Sequence, residues 1–162
     1  LVKNENPAPQ ANRPVGIENF TRLDEGLYVS RRPDLEGLDW LQQQKFATVI
    51  YLRQPQDDDT SDQRQAEKRG LQYSSYIIAA ETINLAIIKE ISHTLADPKQ
   101  RPLLIYDREG SLVGTVWYLH LRTVDGLNHD EALTKARPLG LNPEGTPQQR
   151  SLAQAAKELF NP

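Results

Sequence analysis

The chain has 162 residues, 38% of them hydrophobic, which is enough for one domain to bury most of its apolar surface around a single core. Lys and Arg total 19 against 22 Asp and Glu, for a net charge of -3 with no basic block, a balance that argues against nucleic-acid binding. There is no cysteine, so disulfides, thiolate zinc sites and thiol nucleophiles are excluded.

Residues 1–15 are rich in Asn, Pro, Gln and Ala and read as a flexible linker, leaving residues 16–162 as the folded domain. Phe20 to Leu23 and Leu27 to Ser30 are strand-like runs joined by the turn residues Asp24, Glu25 and Gly26, the composition of a hairpin. Asp34 is placed to cap a helix running to Gln44. Ala47 to Leu52 is a β-branched strand, Thr60 to Arg69 a helix and Leu71 to Ile78 another strand. A helix is predicted over Thr82 to Leu95, with Ile83, Ala86, Ile87, Ile91 and Leu95 at helical spacing, ended by Pro98. The strand Pro102 to Tyr106 contains the continuous apolar run Leu103-Leu104-Ile105, as expected of a central parallel strand covered on both faces. Helices follow over Leu112 to Thr123, after the cap Asn128 with Glu131 three residues on, and after Thr146 with Pro147 at the first helical position and Gln149 completing a capping box. The sum is an α/β domain of three layers with a mostly parallel sheet of four or five strands.

Chemistry is sought after the central strand. Tyr106-Asp-Arg-Glu-Gly-Ser-Leu-Val-Gly114 is a short polar loop with one glycine that leads into an apolar helix. Backbone N–H groups of such a loop, with the positive end of the helix begun near Ser111, can cradle an anion. Arg108, Glu109, Gly110, Ser111 and Leu112 are therefore the candidate ligand-binding loop.

The segment from Pro102 to Gly114 resembles the phosphatase loop of the cysteine-dependent protein-tyrosine and dual-specificity phosphatases, His-Cys-x-x-Gly-x-x-Arg-(Ser/Thr)-Gly after a hydrophobic strand. The hairpin from Asn19 to Pro33, with Gly37-Leu-Asp-Trp-Leu41 and Phe46-Ala-Thr-Val-Ile-Tyr-Leu-Arg53, is similar to the opening of the atypical dual-specificity branch. The segment Leu127-Asn-His-Asp-Glu-Ala-Leu133 and the turn at Gly140 resemble the helices after the loop in its bacterial and fungal members. The resemblance spans residues 16 to 160 and implies a phosphatase-like fold. In such enzymes a thiolate attacks phosphorus, an Arg six positions later binds two phosphoryl oxygens, and an Asp from another loop protonates the leaving group.

On that pattern Asp107 stands at the nucleophile position, Tyr106 at the preceding His and Val113 at the Arg, while Gly114 and Thr115 reverse the usual order; Gly110 matches. Glu81, in Ala79-Ala80-Glu81, is the one general-acid candidate, although a Glu there also suits a helix first turn. Asp107 beside Glu109 sets negative charge where a phosphate would sit, which at about 4 Å and an effective dielectric of about 20 costs on the order of 4 kcal/mol. Loss of the Arg clamp commonly lowers rate about 100 to 1,000-fold. Phosphoryl transfer to Asp107 itself would ordinarily recruit Mg²⁺, for which Asp107 and Glu109 lack a third ligand. The expectation is a pseudophosphatase that binds or scaffolds; the alternative is a divergent phosphatase of phosphomonoesters using noncanonical residues.

The other candidates carry ordinary readings. Arg108 is expected to pair with Asp107 or Glu109, Arg31 and Arg32 to face water or a partner's anionic group, and Asp57-Asp58-Asp59 with Asp62 to form a hydrated acidic loop entering a helix. His93, His120 and His129 show no spacing to a nucleophile or metal ligand, and Trp40 and Trp117 are expected in the core. No metal and no cofactor is implied. The expected partner is a protein or small anionic ligand, with no nucleic acid, no membrane contact by the domain and a monomeric state. No apolar run approaches the roughly 18 residues of a membrane span. The protein is expected to be exported or anchored if a signal segment precedes Leu1, and cytoplasmic otherwise.

Overall fold

The computed structural model describes residues 13–160, so most of the expected N-terminal linker lies outside the described residues. Five strands form one sheet: β1 Thr21–Asp24, β2 Leu27–Arg31, β3 Thr48–Arg53, β4 Gln72–Ile77 and β5 Leu103–Asp107. Their order is β1-β2-β5-β3-β4. The β1–β2 hairpin is antiparallel and the other pairings are parallel. β5 is thus central, and all its residues are buried, as its unbroken apolar run requires.

Among the described residues six α-helices cover the sheet: α1 Leu35–Gln43, α2 Thr60–Lys68, α3 Leu85–Ala96, α4 Ser111–Thr123, α5 His129–Ala136 and α6 Pro147–Glu158. Alternation along β3 and β5 divides the core in two. Val49, Tyr51, Leu104 and Tyr106 pack with Leu38, Trp40 and Leu41 of α1 and Ala66 of α2. Ile50, Leu52, Leu103 and Ile105 pack with side chains of α3, α4, α5 and α6, among them Ile88, Val116, Ala132 and Leu152. The outcome is the three-layer α/β arrangement.

Local signals set most boundaries. The Asp34 carboxylate accepts from the Gly37 N–H at 2.8 Å and starts α1. Asn128 with Glu131, and Thr146 with Gln149, form complete capping boxes at α5 and α6, and Pro147 opens α6. The helix predicted from Thr82 begins three residues later. Thr82 and Ile83 both donate to the Ala79 carbonyl in a turn, and the Asn84 side chain caps α3 by accepting from Ile87 N–H at 3.0 Å. The buried face of α3 accordingly includes Ile88, Ile91 and Leu95, with Ala86 exposed. Strand β1 starts at Thr21, one residue after the predicted Phe20, whose ring stacks on Tyr28, 4.9 Å between centroids, beside Trp40. Trp40 is a core residue, whereas Trp117 is half-buried and stacks on His120 at 4.9 Å. No helix among the described residues is long and apolar enough to cross a membrane.

Candidate functional site

Strand β5 runs into a three-residue loop, and the loop turns into α4 at Gly110. Gly110 lies in the left-handed region, φ 100°, where an L side chain is strained, and it is the N-cap residue of α4. Two further glycines let the surrounding chain close on it. A Cβ on Gly140 would stand 2.0 Å from the Gly110 carbonyl oxygen, and one on Gly114 would stand 2.5 Å from the Leu141 nitrogen. The reversed order Gly114-Thr115 therefore has a steric cause in this chain: α4 approaches the backbone around Leu139 and Leu141 too closely for any larger residue at 114.

Asp107 is fully buried, and its side chain turns into the loop. Oδ1 accepts the Gly110 N–H, and Oδ2 accepts the Val113 N–H at 2.8 Å. The Asp107 side chain thus takes up amides at the start of α4, with the positive end of that helix behind it. Burial pushes the pKa of Asp107 above the ordinary carboxylate value, while the amides of Val113, Gly110 and Leu112 pull it down less strongly. The acidic side chain reckoned from sequence as repelling a phosphate lies in the loop, and in addition its oxygens take up the donors.

Val113, at the position that the sequence resemblance assigns to the clamp arginine, is 4% exposed and packs in the larger core. Arg108 pairs with neither Asp107 nor Glu109. Its Nη1 reaches Asp57 Oδ1 at 2.7 Å, and the same carboxylate accepts from Gln54 N–H at 3.0 Å, tying the loop to the segment after β3.

The acidic run after β3 enters α2 at Thr60 as expected, but of its carboxylates Asp58 is exposed while Asp57 and Asp62 are buried. Asp59 accepts from Ser75 Oγ at 2.7 Å and Tyr73 Oη at 2.8 Å, bonds that hold its pKa below the usual value. Asp58 accepts from the backbone and hydroxyl of Thr60. Asp62, buried, accepts from Arg32 Nε at 3.0 Å and from Tyr106 Oη at 2.8 Å. Tyr106, at the histidine position, thus anchors the end of β5 to α2, and burial with the Asp62 charge pushes its pKa far up. Its ring stacks on Tyr51 at 4.8 Å, and burial raises the Tyr51 pKa to about 12. No group of three potential metal ligands occurs among the described residues.

Glu81 lies in the exposed turn before α3, outside the helix, so the reading of it as a helix first-turn residue is corrected. Together with Glu109, Ser111 and Leu112 it lines a cleft of about 730 Å³ between the loop, the segment after β3 and the start of α6. Gly110 and Val113 line a smaller cavity of about 360 Å³ on the other side, with Arg31. Among the histidines, His120 Nδ1 bonds Ser92 Oγ at 2.8 Å and burial lowers its pKa, while His129 Nδ1 bonds Tyr118 Oη at 2.9 Å. The Ser92–His120 pair, the Arg32–Asp62–Tyr106 set and the Arg108–Asp57 pair were not legible in sequence, because their members stand 28 to 51 positions apart.

No protein-family model matches the sequence, and no curated protein does. Solved structures do. A mutant form of Tk-PTP shares 25% identity over 88% of this chain and 94% of its own, with a TM-score of 0.68. TpbA of P. aeruginosa shares 19% over 87% and 84%, at 0.66. The core catalytic domain of the PP-IP phosphatase SIW14 from S. cerevisiae, in complex with citrate, shares 14% over 88% and 87%, at 0.67. The chain has the fold of the protein-tyrosine-phosphatase-like, cysteine-dependent phosphatases, and in its own loop after β5 the Asp107 carboxyl accepts from the Gly110 and Val113 amides.

Proposed function

We propose that this protein is a pseudophosphatase, a phosphatase-fold domain without phosphoryl-transfer activity that acts as a binding or scaffolding module through the cleft beside the loop. The observation that carries this reading is the Asp107 carboxylate bonded to the Gly110 and Val113 amides. A phosphate entering the loop would have to displace an acceptor tethered covalently next to its donors, and no exchange with solvent removes it. The other two roles are also unfilled. The Val113 side chain has no hydrogen-bonding group to clamp phosphoryl oxygens, and Glu81, in an exposed turn across the cleft, makes no hydrogen bond to the loop among the described residues.

The competing reading is a divergent phosphatase that uses Asp107 as phosphoryl acceptor. It requires Asp107 to leave both amides, attack phosphorus in line with the departing group and find a cation, for which no cluster of three potential ligands occurs among the described residues.

The test is hydrolysis of para-nitrophenyl phosphate, with thermal scans in phosphate, tungstate and vanadate, on the wild type and on the Asp107→Cys, Val113→Arg double variant. The wild type is expected to show no turnover and no oxyanion stabilisation, and the double variant to gain stabilisation. Wild-type turnover abolished by Asp107→Ala would overturn the reading.

A further inference from the structure

The cleft that the loop borders is built for something other than a phosphate. Its lining contains two carboxylates, Glu81 and Glu109, and no Lys, Arg or His. Both carboxylates are exposed at the cleft and form no ion pair or hydrogen bond among the described residues. Arg108, the nearest loop cation in sequence, is committed to Asp57. The positive end of α4 is taken by Asp107, and that of α6 by the Thr146–Gln149 capping box. An anionic ligand would therefore meet uncompensated like charge, and a cation would meet two free carboxylates.

The rest of the lining narrows the class. Ser111 is 9% exposed, lines the cleft, and its hydroxyl has no partner among the described residues. Gln148 and Ser151 add further polar groups. No aromatic side chain lines the cleft, so a sugar ring or a nucleobase finds no stacking surface. Amide and hydroxyl groups that both donate and accept match a peptide backbone, and about 730 Å³ is room for a few residues of extended chain.

We infer that this cleft binds a segment of a partner protein bearing a lysine or arginine, whose cation lies between Glu81 and Glu109 and whose backbone meets Ser111 and Gln148. The inference rests on the pseudophosphatase reading of the same cleft and names its ligand class.

The experiment is fluorescence anisotropy with labelled six-residue Gly/Ser peptides carrying a central Lys, Arg, Ser, Glu or phosphoserine, against the wild type, the Glu81→Gln, Glu109→Gln double variant, and a charge-matched control, Glu25→Gln, Glu36→Gln. Lys and Arg peptides are expected to bind the wild type and the control alike and to lose at least tenfold in affinity to the cleft variant, with Glu and phosphoserine peptides weakest throughout. Equal loss in the control, no loss in the cleft variant, absence of basic-peptide binding, or preference for the phosphoserine peptide would each overturn the inference. Those results leave the pseudophosphatase reading standing as long as the wild type fails to hydrolyse para-nitrophenyl phosphate, whereas turnover would sink that reading by itself.

Discussion

At Asp107 two effects of opposite sign meet in one side chain. The loop amides stabilise a carboxylate there, and complete burial disfavours its charge; burial is the larger effect and the pKa rises above 3.8. Between 3.8 and that raised value the folded state holds more protons than the unfolded one, so this residue's contribution to stability falls as pH rises through the window. Asp107→Ala removes the desolvated carboxyl group and also leaves two amides without an acceptor, an opposing cost of about 1–3 kcal/mol each before water enters. At pH 7 the two nearly offset, and the variant is expected within about 2 kcal/mol of wild type in urea denaturation. Its deficit should be larger near pH 4 than at pH 7, and millimolar sulfate should raise its melting temperature while leaving wild type unmoved. A deficit that grows with pH would mean that the amides outweigh burial. The sequence places an acidic residue at 107 and an apolar one at 113, and to that extent the site was legible. The direction in which Asp107 turns was not, because it depends on the positive φ of Gly110 bringing the amides of a later turn back onto the strand end. Arg108 was misjudged for a related reason: Asp57 is brought beside it by the parallel pairing of β3 and β5, which sequence spacing does not display.

Among the elements, α4 shows how backbone contact constrains side-chain choice. Gly114 is buried within this helix, where alanine would ordinarily gain about 1 kcal/mol in helix propensity. The added Cβ would instead meet the Leu141 nitrogen at 2.5 Å, the Leu139 oxygen at 3.0 Å and the Ala136 oxygen at 3.1 Å. These are backbone atoms held by α5 and the turn after it, and overpacking of this kind costs about 1–3 kcal/mol or more. With three backbone contacts the cost falls at the upper end of that range, so Gly114→Ala should be destabilised by about 2 kcal/mol or more net, read as a lower urea midpoint at unchanged slope. A variant as stable as wild type would show that the segment from Arg137 to Leu141 yields easily, and that the loop is less firmly braced from that side. Elements with local punctuation were read to within a residue or two, as Asp34, Asn128 and Thr146 illustrate: each cap is satisfied within three residues of itself. The start of α3 was misread because Thr82 and Asn84 are both good caps on local chemistry. What decides between them is the turn in which Thr82 and Ile83 both donate to the Ala79 carbonyl, with Ile83 buried against the larger core, and the extended backbone of Asn84, which puts the cap after that turn.

At the scale of the whole molecule, the sheet joins two cores that have few other connections. β3 sends Val49 and Tyr51 to one face and Ile50 and Leu52 to the other, and β5 does the same with Leu104 and Tyr106 against Leu103 and Ile105. Neither core can lose its sheet face without exposing the strands that complete the other, so the two should unfold together even though their helices scarcely touch. Nature supplies one tryptophan on each side: Trp40 within the smaller core, and Trp117 packed against the larger. Trp117→Phe leaves a reporter of the first, and Trp40→Phe a reporter of the second. Each variant will shift in stability by its own lost packing, so the comparison is made within a variant, between tryptophan fluorescence and far-ultraviolet circular dichroism. In both variants the two probes are expected to give coincident urea transitions with one midpoint and one slope. If fluorescence in the Trp40 reporter moved at lower urea than the circular dichroism, α1 and α2 would be detaching before the sheet opens. The Arg32–Asp62–Tyr106 link, which joins α2 to the end of β5, would then be too weak to hold that layer against the strand that carries Asp107.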